Sequence, residues 1–296
     1  MIEHTSRETI QLSRVVILGA TGVIGRALTP FLVDRGVSVA TVESSELDLL
    51  DPDASGRLAG LLRHDDALVV LAAIPPRRGR DLATMMRNIQ MAINVCTALL
   101  RQPVAHVIYL SSDAVYSRSV EEVSETSPIA PMDFYSAMHL AREDLFCRLV
   151  SAPVAVLRST QICAVHDTHD AYGPNRFLRM AMKEKRIVLF GRGEETRDHI
   201  QVEDVVALIH ACLMHRSQGV LNVATGRSFS FADVASLVAA QFDPSPEIQY
   251  APRQPPVTHR TFDVSALVRA FPEMSLTPLE TGLAKIVRQV ASTRSS

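Results

Sequence analysis

The chain has 296 residues, 47% of them apolar and 21% charged, with a formal net charge of -2. That balance excludes a disordered chain and a polyanion binder, so no nucleic-acid partner is expected. The length suffices for one large domain or two intimate ones, and two lobes are expected.

Residues 1–11 carry Glu3, His4, Arg7 and Glu8 without an apolar core, and no later apolar run approaches a membrane span. A cytoplasmic protein with no membrane partner is therefore expected. Cys96, Cys147, Cys163 and Cys212 lie far apart in apolar patterns, which reads as free thiols instead of a disulfide framework or a zinc site.

The apolar run from Val15 to Leu18 breaks into Gly19, Gly22 and Gly25 and then turns helical, a strand, tight turn and helix start. Gly19 permits the turn, Gly22 lets backbone approach a pyrophosphate, and Gly25 lets the helix pack on the strand. Val23 and Ile24 then sit at the helix N-terminus, which holds phosphates. A second strand, residues 37–42, ends at Glu43, where a dinucleotide fold places its ribose-binding acid. Asp48, followed by Leu49, falls near the adenine edge. A carboxylate repels a 2′-phosphate, and no arginine follows in Ser44-Ser45-Glu46, so NAD is expected over NADP.

Residues 67–71 read as a strand buried on both faces, closed by Pro75 and Pro76. A helix follows from 81 to 100, with apolar residues at Met85, Ile89, Ile93, Cys96 and Leu100. The strand at 106–110 delivers Ser111, Ser112 and Asp113 at its carboxyl end, where open α/β sheets bind ligands. After a polar loop, residues 120–133, a helix capped by Asp133 carries Tyr135, Met138, His139, Leu145 and Leu149. Tyr135 and His139 are four apart and share a face.

A strand at 154–157 ends at Arg158, and the rhythm breaks in the loop 166–174, where the second lobe is placed. His166, Asp167, His169 and Asp170 in that loop have no fixed ligand geometry, so no metal is expected. The remaining expectations are a strand from Ile187, a glycine turn at 191–193, a strand near 199–202, a helix at 204–215 and a strand at 220–223. Then come a helix from Ser230, a proline-rich link at 243–256, helices at 264–270 and 279–290, and a frayed tail. Residues 1–160 form the expected dinucleotide-binding domain, with 198–216 returning to it, and 161–296 are mainly a substrate lobe.

Taken together these motifs resemble the extended short-chain dehydrogenase/reductase superfamily, in its NAD-dependent nucleotide-sugar epimerase/dehydratase branch. The resemblance runs through the glycine motif at 19–25, Leu71-Ala72-Ala73, Asn94-Val95, the segment from Ser111 to Tyr116 and the Tyr135 helix. It continues through Gly191 to Val205, Val220 to Gly226 and Arg260 to Asp263. It implies a Rossmann-type doubly wound parallel sheet with a smaller C-terminal α/β substrate lobe, NAD as cofactor, and hydride transfer at a carbon of a nucleotide diphosphate sugar. It further implies Tyr135 as acid/base and Ser112 in its proton network, with Leu71, Ala72, Ala73, Asn94, Tyr135 and His139 beside the cofactor. Asp113, Gln161, Phe190, Arg197 and Arg260 fall on substrate-facing positions, and the arginine forks suit a diphosphate.

Two departures shape the functional reading. The family's lysine four residues after the tyrosine is here His139, mostly neutral at pH 7, which lowers the phenol's pKa less than an ammonium would. Lysine at 139 is expected to restore that effect. Ala114 stands where dehydratases carry a glutamate, so an epimerase is expected, with a keto-sugar reductase and a non-catalytic NAD(P)-binding sensor or scaffold as alternatives. In similar proteins the helices bearing the 85–100 stripe and Met138, Leu145 and Leu149 form an intersubunit four-helix bundle, so a homodimer is expected.

Overall fold

The computed structural model describes residues 1–165, 167, 172–253 and 256–294. Its first half runs β1 (Glu3–His4), β2 (Arg14–Leu18), α1 (Val23–Val33), β3 (Val39–Val42), α2 (Ala54–Leu61), β4 (Asp66–Val70), α3 (Leu82–Arg101), β5 (His106–Ser112), β6 (Glu122–Val123), α4 (Phe134–Leu149) and β7 (Val154–Ser159). Next come β8 (Gln161–Cys163), α5 (Pro174–Glu184), β9 (Arg186–Phe190), β10 (Thr196–Gln201), α6 (Val202–Met214) and β11 (Ser217–Val223). The chain finishes with β12 (Ser228–Ser230), α7 (Phe231–Ala239), β13 (Glu247–Ala251), β14 (Thr261–Phe262), α8 (Ser265–Ala270) and α9 (Leu279–Arg294).

Seven strands form one sheet in the order β1-β11-β7-β5-β4-β2-β3. Every neighbouring pair is parallel except β1 with β11. Parallel strands need helical crossovers, so helices cover both faces and the central strands are apolar through their middles, with polar residues gathered toward their ends. Leu28 and Leu32 of α1 pack with Val205 and Ile209 of α6 on one face. Leu58 of α2, Val95 and Leu99 of α3 and Phe146 of α4 pack on the other. The carboxyl ends of β2, β4 and β5 thereby open along one rim, where the glycine turn and Ser112 lie.

A second set of elements builds its own cluster. The small sheets β12-β10-β8 and β13-β9 pack with α5, α7 and α9 around Phe177, Leu189, Val234, Val238 and Leu283. The pair β14-β6 ties the segment after β13 to the loop after β5, bringing Arg260 beside Asp113.

Asp81 accepts a hydrogen bond from the Thr84 amide, and Asp133 forms a capping box with Ser136, so both expected helix starts hold. Two helices were not foreseen. In α2 only Ala54, Ser55 and Leu58 are buried, too short a stripe to register as periodic. Helix α5 opens at Pro174, in the first-turn position a proline tolerates, although Gly173-Pro174 reads as a loop end. After α6, Ser217–Val223 pairs with β7 in the large sheet, because α6 packs on the sheet face and feeds the next strand back beside β7.

His166, His169 and Asp170 of the loop considered for metal lie outside the described residues, as do residues 254, 255, 295 and 296. Among the described residues no group of three metal-ligating side chains converges, and no helix is long and apolar enough to cross a membrane.

Candidate active site

The glycine turn follows from hard contacts. Gly19 adopts a φ of 92°, and a Cβ there would stand 2.8 Å from the Ala72 nitrogen and 3.0 Å from the Leu71 carbonyl carbon. A side chain is thus excluded twice, by backbone conformation and by space. The same contact shows that Leu71-Ala72-Ala73, at the end of β4, lies directly against the turn. At Gly25 a Cβ would meet the Ala20 Cα and the Gly19 oxygen at 2.5 Å. Gly22, the N-cap of α1, contributes no capping side chain, and the first turn contains no acid. The N–H groups of Val23, Ile24 and Gly25 thus present the positive end of the helix without an internal anion, which fits a pyrophosphate.

Pairing of Leu18 with Val42 sets Glu43 alongside Gly19, at the rim. Asp48 Oδ1 accepts from the Leu50 amide at 3.0 Å, and Asn94 Nδ2 donates to the Leu49 oxygen at 2.8 Å. Asp48, Leu49 and Asn94 are therefore brought together; Asn94 is a tie between α3 and this turn, while the Leu49 side chain is buried.

At the end of β5, Ser112 stands beside Tyr135 of α4, near enough to influence its phenol. Burial pushes the Tyr135 phenol up to about 12, the neighbouring Ser112 hydroxyl pulls it down, Asp113 and Asp133 push it up, and Arg80 pulls it down. Arg80 and Tyr135 line one narrow crevice with Asp81, Met85 and Phe134. His139 is buried, its ring edge-on to Tyr135 with centroids 4.7 Å apart, and its Nδ1 lies 2.8 Å from the Tyr109 hydroxyl.

Beyond β5, Arg260 donates to the Asp113 and Ser117 oxygens at 3.0 and 2.9 Å and pairs with the Asp113 carboxylate at 3.5 Å. Arg197 donates to the Thr196 and Thr258 oxygens, to Thr258 Oγ1 and to Glu195. Both forks brace loops at the mouth. Burial raises the Asp113 carboxyl while Arg260 and Arg197 lower it, and burial lowers the Arg197 guanidinium. Gln161 on β8 and His199 on β10 are register partners. Gln161 Oε1 and both His199 ring nitrogens are buried without a partner among the described residues, and burial lowers His199 to about 3. Phe190 is exposed at the end of β9, tilted against Tyr172 with centroids 5.1 Å apart.

A family model, the NAD dependent epimerase/dehydratase family, matches residues 15–224. The chain belongs to that family. This family member carries the NAD-binding features of its kind, and NAD is the family's cofactor. YtcB of Bacillus subtilis, an uncharacterized UDP-glucose epimerase, is 26% identical over 190 residues, which cover 61% of this chain and 60% of that protein. The match thus spans less than two thirds of that relative. The dTDP-L-rhamnose 4-epimerase of Burkholderia thailandensis is 22% identical across 85% of this chain and 88% of its own. Among solved structures, MoeE5 in complex with UDP-glucose and NAD superposes with a TM-score of 0.83 at 24% identity, covering 95% of this chain and all of that one. The Thermus thermophilus UDP-glucose 4-epimerase in complex with NAD gives 0.80 at 20%, covering 94% and 99%. These structures share the Rossmann-type fold.

Sequence reasoning missed Tyr109, Arg142, Arg80 and His199. Tyr109 was legible in principle, as a polar group at strand period two from Ser111, opposite a helix whose His139 and Glu143 are four apart. His199 had no such signal, because a lone histidine in a buried strand reads as core.

Proposed function

We propose that this family member is a cytoplasmic NAD-dependent nucleotide-sugar epimerase, acting at one sugar carbon with Tyr135 as acid/base. The observation that carries the reading is Ser112 set beside Tyr135 on the rim that holds the glycine turn. When bound, NAD supplies the two-electron acceptor and, oxidised, a positive charge at the site. Val23, Ile24 and Gly25 would hold its pyrophosphate, Glu43 its ribose, and the Asp48-Leu49 turn, tied by Asn94, its adenine side. Tyr135, protonated at neutral pH, enters as an acid and removes a sugar proton only when a nearby cation lowers its pKa. Ser112 steadies whichever form is present. Ala114 offers no second acid, which favours epimerisation over water elimination. Asp113, Arg197, Arg260, Gln161 and Phe190 border the space for the nucleotide diphosphate.

The test is Tyr135→Phe assayed with a panel of nucleotide sugars. Conversion should fall by about 10²-fold or more, while NAD affinity stays within about twofold of the parent. Undiminished conversion would remove Tyr135 from the mechanism. Reduction of a keto-sugar without epimerisation would put the reductase reading first.

We also propose a homodimer through α3 and α4. Met86, Ile93 and Leu100 of α3 are exposed at seven-residue intervals, with Phe134 and Leu149 exposed on α4. Within the expected stripe, Cys96 and Met138 are buried inside the subunit, because α3 and α4 also pack on each other and on the sheet. A monomeric mass at micromolar concentration, or a dimer unaffected by Ile93→Glu, would refute this interface.

A further inference from the structure

The replacement of the family's lysine by His139 comes with a buried polar assembly around the imidazole. Strand β5 puts Tyr109 and Ser111 on one face, two residues apart, and α4 puts His139 and Glu143 on the facing side, four apart. Two rungs result: Tyr109 with His139 at 2.8 Å, and the Ser111 hydroxyl donating to Glu143. Arg142 lies beside them, 1% exposed. Its guanidinium carbon is 5.1 Å from the Tyr109 ring centroid, and its Nη2 donates to the Ala72 oxygen at 2.8 Å. Among the described residues no carboxylate forms an ion pair with Arg142, because Glu143 is engaged by Arg158 at 2.6 Å.

Proton accounting then decides the state of His139. Tyr109 is 1% exposed, has one hydroxyl proton to place, and among the described residues its oxygen has His139 Nδ1 as its partner. If Nδ1 carried a proton and donated to the phenol oxygen, the phenol's own proton would turn away and go unsatisfied among the described residues. The phenol therefore donates, Nδ1 accepts, and the ring proton resides on Nε2. Charging the imidazole would break this bond and add a second buried cation near Arg142.

We infer that Tyr109, braced by Arg142, is a positioning residue that holds His139 as the neutral Nε2–H tautomer, so that the imidazole serves the Tyr135 site as an oriented hydrogen-bond donor instead of a cation. Burial raises the Tyr109 phenol above its ordinary value while Arg142 pulls it the other way, so it keeps its proton at physiological pH. Among the described residues, the groups facing this assembly include Tyr135, Arg142 and Glu143 from α4, Tyr109 from β5, Arg158 from β7 through Glu143, and Cys96 from α3 against Arg142. Asp113, Asp133 and Arg80 reach it through Tyr135. On this inference a lysine at 139 does not restore a missing charge; it introduces one that the pocket is built to exclude.

The service to Tyr135 rests on the proposed function, but the tautomer does not. Long-range ¹H–¹⁵N correlation spectra of the full chain labelled at histidine give the tautomer directly, with the His139 signals identified by their loss in His139→Gln. The wild type should show the neutral Nε2–H pattern at pH 7. Tyr109→Phe keeps the ring over Arg142 and removes only the hydroxyl, so it should leave Nδ1 without its donor and mix the tautomers. An Nδ1–H pattern or an imidazolium at pH 7 in the wild type overturns the inference, as does a Tyr109→Phe spectrum identical to it. The wild-type spectrum decides the matter even if the variant fails to fold. His139→Lys should lower turnover near neutral pH, and a gain there would also overturn it. A chain with the Nε2–H pattern and no epimerase activity refutes the proposed function alone.

Discussion

Gly25→Ala and Gly22→Ala should separate the structural from the ligand-facing part of the turn. A methyl at 25 would stand 2.5 to 2.6 Å from the Ala20 Cα, the Gly19 oxygen and the Ala20 oxygen. All three are backbone atoms inside a tight turn and cannot swing away, so the cost falls at the upper end of the roughly 1–3 kcal/mol typical of overpacking. Alanine's better helix propensity returns about 1 kcal/mol. The net loss of about 2 kcal/mol should lower Tm by roughly 4–8 °C in a chain of this size. At Gly22 the nearest atom to an added methyl is the Gly19 oxygen at 3.3 Å, and φ is −70°, so stability should stay within about 1 kcal/mol. NAD affinity should nonetheless drop at least about tenfold, since the methyl intrudes where the pyrophosphate approaches. Differential scanning fluorimetry and calorimetric titration with NAD read the two effects. A Gly22→Ala variant that binds NAD like the parent would refute the assignment of this turn to the pyrophosphate.

Glu43→Gln should narrow the preference for NAD over NADP by about tenfold, near 1.4 kcal/mol, when both are titrated; tighter NADP binding by the parent would defeat the ribose assignment. Burial lowers His106 to about 4 and His199 to about 3. Both are neutral in the native state while the unfolded chain protonates them below about 6.5, so their contribution is intact above that pH and lost as pH falls. Urea melts should therefore show stability dropping by about 2 kcal/mol per group between pH 7 and 5; His199→Phe should remove roughly half of that slope, and an unchanged slope would contradict the account. Glu143→Ala strands Arg158 and removes the acceptor of Ser111, and should cost about 3–5 kcal/mol, against less than about 1 kcal/mol if the pair were idle.

The glycine turn, the β5 carboxyl end and the Asp133 cap were legible because each is governed by neighbours in sequence. Three glycines three apart, a polar pair closing an apolar strand, and an acid one residue before a helix all report local physics. The short helices α2 and α5 were not, because few of their residues face inward and Gly173-Pro174 serves equally as a loop end or a helix start. Nor was the use of Arg260, whose contacts to Asp113 and Ser117 span more than 140 residues of chain and arise only when β14 pairs with β6. The His139 environment lies between these cases. Its polar rungs follow from two known periodicities, yet nothing local says that β5 and α4 face each other in that register.

The central claim is reversible oxidation at one sugar carbon, and the isotope content of the product tests it most directly. Incubated with NAD and its nucleotide sugar in D₂O, the enzyme should return the epimer with its original hydrogen retained at the inverted carbon and no deuterium there. A sugar deuterated at that carbon should keep its label and react more slowly. Deuterium from solvent at the inverted carbon would mean proton abstraction in place of two-electron transfer, and would contradict the account.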